Sequence, residues 1–185
     1  VCLSVCPSVC LIQHVLRLSL PVCLIAYPWE QVPQLDGYSG NGRHVYKDGS
    51  KYTGSYVDGK RHGRGVYAYK NGDKYVGEFA NNMRHGFGVV VMADASNNGK
   101  EFRGRRYEGE WVNGRKEGRG LDVYGDGNSY DGDFANGKPH GRGVFTYANG
   151  DRYDGQFVHG KWSGKGYMAY ASGNTYDGEF HAGRI

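Results

Sequence analysis

One period governs this chain. Tyr52, Tyr75, Tyr107, Tyr130, Tyr153 and Tyr176 each begin a Tyr-x-Gly-x-aromatic pentapeptide, closed by Tyr56, Phe79, Trp111, Phe134, Phe157 and Phe180. The steps between copies are 23, 32, 23, 23 and 23 residues, so the long step is one period plus nine residues. Self-similarity at such a spacing marks a repeat architecture, in which each unit buries its apolar face against its neighbours. A second signature follows in each unit, Gly-x-Gly before a run of alternating residues: GRGVYAY (63–69), GFGVVVM (86–92), GRGLDVY (118–124), GRGVFTY (141–147) and GKGYMAY (164–170).

Both halves of the unit alternate with period two, and the joints at Asn71-Gly72, Asp126-Gly127, Asn149-Gly150 and Ser172-Gly173 carry turn chemistry. Each unit therefore reads as a β-hairpin. We expect Tyr52 opposite Tyr69, which sets Gly54 against Tyr67 and Tyr56 against Gly65; in the fourth unit the same count sets Phe134 against Gly143. An aromatic ring over a cross-strand glycine offsets the weakness that glycine brings to a strand.

The unit YEGEWVNGRKEGRG at 107–120 closely resembles the membrane occupation and recognition nexus, or MORN, repeat. The resemblance covers residues 40–185 and implies an all-β fold, an elongated single-layer antiparallel sheet of tandem hairpins. Its departures are modest: Asn82 stands for a loop glycine and Met92 for a tyrosine. The expected organisation is a low-complexity segment at 1–36, a degenerate half repeat at 37–51, and an array over 52–185 with the insertion within 93–106. From the half units at the two ends we expect the chain to be an excerpt of something longer.

Residues 1–36 hold all four cysteines (Cys2, Cys6, Cys10, Cys23), so no disulfide framework holds the array. Gln13, His14 and Arg17 interrupt the apolar run, which suits neither a signal peptide nor a membrane helix. Val-Cys-Leu-Ser is what a repeated TGTC tract encodes, and the stretch reads as translated non-coding sequence; a targeting or anchoring segment is the alternative.

Chemistry is hard to find in the array. The Gly-x-Gly pairs recur in every unit with no Gly-Lys-Ser/Thr signature, so they are structural and not a phosphate loop. His62, His85 and His140 share one repeat position, but equivalent positions lie two strands apart, roughly 9–10 Å, while zinc ligands must lie about 2 Å from one ion. Glu108 and Glu110, or Asp131 and Asp133, recur as a solvated face and not a catalytic pair. We expect no catalytic residue, no cofactor, no metal and no small-molecule substrate. With 23 basic against 19 acidic residues, nucleic acid is not an expected partner either.

Two basic features remain. The segments DGKRH, NNMRH, NGRKE, NGKPH and HGKWS, read as loops inside the hairpins, carry Lys60, Arg61, Arg84, Arg115, Lys116, Lys138 and Lys161 against Asp58 and Glu117. They form a candidate basic rim. The insertion ADASNNGKEFRGRR carries Lys100, Phe102, Arg103, Arg105 and Arg106 against Asp94 and Glu101, a candidate contact for an acidic partner. The expected function is a non-catalytic scaffold or adaptor that binds a protein partner in the cytoplasm, at a membrane or cytoskeletal structure. MORN proteins resemble this in cytoskeletal, ciliary and membrane-junction settings. The alternatives are attachment to acidic phospholipid, or the regulatory region of a larger enzyme such as a phosphatidylinositol-phosphate kinase.

Overall fold

The computed structural model describes residues 36–93 and 104–184. These form twelve strands and no helix: β1 (Gly40–Val45), β2 (Lys51–Val57), β3 (Lys60–Ala68), β4 (Lys74–Ala80), β5 (Met83–Val91), β6 (Arg106–Val112), β7 (Arg115–Val123), β8 (Ser129–Ala135), β9 (Lys138–Thr146), β10 (Arg152–Val158), β11 (Lys161–Ala169) and β12 (Thr175–Phe180). They pair in strict chain order as one antiparallel sheet. Residues 1–35, and Lys100, Phe102 and Arg103 of the insertion, lie outside the described residues.

Two kinds of turn alternate along the array. Within each hairpin the connection is only two residues, both at positive φ: Asp58 (48°) with Gly59 (73°), Asn113 (48°) with Gly114 (81°). That conformation matches the twist of the flanking strands and favours Asn, Asp and Gly. Asn82 occupies the second position at φ 71°, a region that asparagine tolerates better than most residues. Between hairpins the turn is longer, with a single positive-φ glycine such as Gly72. The segments read above as five-residue loops are thus two turn residues followed by the start of a strand. Lys60 and Arg61 already belong to β3 and point to opposite faces.

The register also differs from the expectation. Tyr52 pairs with Tyr67 instead of Tyr69, Gly54 with Gly65, and Tyr56 with Arg61; in the fourth unit Tyr130 pairs with Phe145, Gly132 with Gly143, and Phe134 with Pro139. The physical reason is a bulge. After the tight turn, the second strand carries two extra residues at the first glycine of Gly-x-Gly, which takes φ near +60° in every unit (Gly63 66°, Gly86 57°, Gly118 58°, Gly141 62°, Gly164 62°). Bulges bend a strand and increase its local twist.

The second glycine has a different job. Its neighbour across the ladder is another glycine, and the ring covering both is the first tyrosine of the unit. A Cβ at Gly143 would lie 2.5 Å from the Tyr130 ring, and one at Gly132 would lie 2.5 Å from the Gly143 Cα. The tyrosine hydroxyl then donates to the carbonyl three residues on: Tyr52 to Ser55 (3.0 Å), Tyr75 to Glu78 (2.9 Å), Tyr107 to Glu110 (2.9 Å), Tyr130 to Asp133 (2.8 Å). A ring does cover the glycines, but it is Tyr52 or Tyr130 and not Tyr56 or Phe134.

These rings are the core. Tyr56, Tyr52, Phe79, Tyr75, Trp111, Tyr107, Phe134, Tyr130, Phe157, Tyr153, Phe180 and Tyr176 form an unbroken zigzag of edge-to-face contacts, with consecutive centroids 4.8–5.6 Å apart. Edge-to-face is the arrangement the ring quadrupole favours. All of these except Tyr176 are buried. A single-layer sheet thereby builds a core on one face, each repeat lending rings to the next.

Candidate functional site

The face that carries the zigzag is a trough. Its floor is the row of first-strand tyrosines. One wall is the position facing the closing aromatic of each first strand: Arg61, Arg84, Lys116, Pro139 and Trp162. The other wall is made of rings on or just past the second strands, such as Tyr46, Tyr67, Tyr124 and Phe145, which pack against the buried core while remaining partly open. The walls approach one another: the Arg61 guanidinium carbon lies 4.8 Å from the Tyr67 centroid and 5.5 Å from that of Phe79, and Trp162 stands 6.2 Å from Tyr147 and 5.8 Å from Phe180.

This geometry divides the seven cations of the candidate rim. Lys60, Arg115, Lys138 and Lys161 are exposed at the starts of the second strands. Arg61, Arg84 and Lys116 turn instead into the trough. Arg84 sits 4.0 Å over Trp111 and donates to the carbonyl of Gly114 (3.1 Å). Arg61 donates to the carbonyl of Asn82 (2.8 Å). Lys116 reaches within 4.2 Å of the Tyr107 centroid and ion-pairs with Asp122 (2.6 Å). Cations over aromatic faces in partly desolvated positions gain about 1–2 kcal/mol.

Among the described residues Asp122 is the one acid in the trough's buried core, and it is fully buried. Besides Lys116 it accepts from Arg105 Nε (3.1 Å) and from its terminal nitrogen (2.5 Å). The hydrogen bonds that Arg105 donates to Asp122 hold its guanidinium above its ordinary value, whereas burial pulls the Lys116 ammonium below its own, with Asp122 opposing. Burial pushes the Tyr124 hydroxyl up to about 12. Of the candidate insertion contacts, then, Arg105 is engaged with Asp122 and Tyr124 (4.8 Å), and Arg106 opens β6 paired to Glu108. The insertion itself leaves the sheet undisturbed: Val91 pairs with Arg106, and the Met92 amide donates to the Arg105 carbonyl (2.8 Å) at its base.

The opposite face is charged and open. Arg64, Arg119, Arg142 and Lys165 are exposed there, with Arg119 placed 3.7–3.9 Å from Asp131 and Asp133. His62, His85 and His140 lie on three different strands, β3, β5 and β9, and among the described residues no group of three His, Cys, Asp or Glu is placed to hold a metal. No helix among them is long and apolar enough to cross a membrane.

Comparison with protein families matches the MORN repeat five times, to residues 52–74, 75–95, 107–129, 130–152 and 153–175. The chain belongs to the MORN repeat family. MORN arrays are repeat scaffold modules, generally non-catalytic. No curated protein matches in sequence. Among solved structures, the TCP domain of SAS-4 (dCPAP) of Drosophila melanogaster, in complex with a proline-rich motif of Ana2 (dSTIL), is similar at 10% identity and a TM-score of 0.43, over 74% of this chain and 70% of that chain.

Sequence reasoning passed over Asp122, Pro139 and Trp162. The signal was present: aligned on the period, position 122 otherwise holds Tyr67, Val90, Phe145 and Met168, and position 139 holds Arg61, Arg84 and Lys116 before it. These MORN units differ where their trough differs.

Proposed function

We propose that the chain is a non-catalytic scaffold that holds a protein partner along the aromatic trough. The observation that carries this reading is the row of partly open rings on or just past the second strands, Tyr69 (37% exposed) and Tyr170 (37%) among them, above a core of buried rings. Rigid aromatic rings offer large contact area at little cost in ordering, and they are enriched at protein interfaces. An extended segment laid along the trough would meet such a ring in every repeat but the second, where Val90 and Met92 take their places. Attachment to acidic phospholipid is the weaker reading. Each cation near an anionic surface contributes about 1 kcal/mol, and three of the seven rim cations are engaged inside the trough.

The test is selection of linear peptides from a displayed library on the array. Selected peptides should lose binding to a Tyr69→Ser/Tyr147→Ser/Tyr170→Ser variant. They should retain it for Arg64→Ser/Arg142→Ser/Lys165→Ser on the outer face. The reverse pattern, or no selection above background, overturns the reading.

A further inference from the structure

The trough repeats one small site at each junction between hairpins, and the residues that fill it differ. In the first, the Arg61 guanidinium carbon lies 5.9, 5.9, 4.8 and 5.5 Å from the rings of Tyr46, Tyr52, Tyr67 and Phe79. It also donates to the carbonyl of the next hairpin's turn, that of Asn82. Arg84 does the same in the second, with Trp111 and the Gly114 carbonyl. Lys116 fills the third. In the fifth, the Trp162 ring occupies the place, stacked on Tyr153 at 4.9 Å.

The fourth junction has Pro139 at this position, a side chain with no cation and no reach. The rest of the site is present. Tyr124, Phe145 and Phe157 stand at the repeat positions of Tyr46, Tyr67 and Phe79, and they line an opening of about 430 Å³. Gly160, at the repeat position of Asn82, lines it too. The backbone frame is the same: the Gly160 amide donates to the Pro139 carbonyl (2.8 Å) as the Asn82 amide donates to that of Arg61 (3.0 Å).

We propose that this opening receives an arginine side chain of the partner protein, supplying in trans the guanidinium that Arg61 and Arg84 supply in cis. The aromatic faces present negative quadrupole to a cation, and the turn carbonyl suits a guanidinium. Arginine fits better than lysine because its planar, weakly hydrated group can stack on a ring and donate at its edge together. The cations nearby do not forbid it: Arg105, which lies 4.8 Å over the Tyr124 ring, and Lys116 are both paired to Asp122. Lys161 also lines the opening but is exposed, so its ammonium stays in high-dielectric solvent, where two unit charges about 4 Å apart interact by only about 1 kcal/mol. The proposal rests on the reading of the trough as a protein-binding surface, and specifies one contact within it.

The experiment is an NMR titration of the full chain, labelled at its aromatic rings, with N-acetyl-arginine amide, its uncharged isostere N-acetyl-citrulline amide, and N-acetyl-tryptophan amide. Arginine should shift the rings of Tyr124, Phe145 and Phe157 saturably, with citrulline on the order of 10-fold weaker. Pro139→Arg should abolish the effect by filling the site from within. Phe145→Leu, which removes one aromatic face and keeps an apolar wall, should weaken arginine binding in the same direction. Equal binding of citrulline, tighter binding of the tryptophan derivative at these rings, or unchanged arginine binding by either variant overturns the proposal. Trough-selected peptides that bind Pro139→Arg as well as the parent would leave the scaffold reading standing and sink the arginine site alone.

Discussion

The first three repeats and the last two are built on one backbone plan and fill it differently. From Tyr52 to Tyr124 the trough wall is cationic, with Arg61, Arg84 and Lys116 lying over rings and Asp122 buried beneath. From Tyr130 onward the same wall reads Pro139 and Trp162, and the place of Asp122 is taken by Phe145 and Met168. Turns, bulges, glycine pairs and the ring zigzag do not change across the boundary. In a repeat fold the positions that make the sheet are thus separable from those that give a stretch of it a character, and the second set is small.

The largest expected effect concerns what the two halves share. Burial raises the hydroxyls of Tyr46, Tyr52, Tyr56, Tyr75, Tyr107, Tyr124, Tyr130, Tyr147 and Tyr153. Unfolded tyrosine ionises near pH 10. Below that both states hold their protons; above it the unfolded chain releases protons first, so stability falls as pH rises. The array should unfold cooperatively above about pH 10, with tyrosinate absorbance and loss of β-sheet circular dichroism coincident. Ionisation that precedes unfolding would show the rings to be less sealed than their burial implies.

Next come the glycines. Gly65→Val and Gly143→Val should each cost about 3 kcal/mol, at the upper end for overpacking, because both side chains drive into a tyrosine ring. Val144→Ala on the outer face should cost less than ~1 kcal/mol. Denaturant midpoints decide it. Unequal costs at Gly65 and Gly143 would break the claim of a common backbone plan.

What differs between the halves should show more modestly. Asp122→Asn strips a buried carboxylate from Lys116 and Arg105 and should cost about 2 kcal/mol, less than a fully buried pair because Arg105 is 41% exposed. Arg84→Met should cost about 1 kcal/mol through its lost ring and carbonyl contacts. Lys138→Met, on an exposed side chain one residue from the wall, should stay within about 0.5 kcal/mol. Equal melting curves for the Arg84 and Lys138 variants would erase the distinction between trough and rim cations.

The hairpins and the all-β class were legible because a period of 23 residues with turn dipeptides admits little else. The register was not, and the cause is local. Asp58-Gly59 alone fixes Val57 opposite Lys60 and Tyr56 opposite Arg61. Counting a five-residue loop discarded that constraint, and the two-residue bulge at Gly63 then hid the glycine–glycine pair. The same miscount put Arg61, Arg84 and Lys116 in loops, where charge says nothing of direction; alternation from a two-residue turn sends them inward. Asp122 was invisible to any reading that treated the repeats as equal.

Because each junction repeats the same strand pairing, the array is graduated. Two strands separate like positions, close to 9.6 Å for a ladder spacing of about 4.8 Å. A side chain can therefore change address only by whole divisions. A ligand that spans two junctions measures that unit, and a partner whose contacts fall at another interval cannot be accommodated by sliding. On the reading proposed above, the array would serve as a rule for the length of its partner, and an added repeat would shift the scale by one mark without altering any division already engraved.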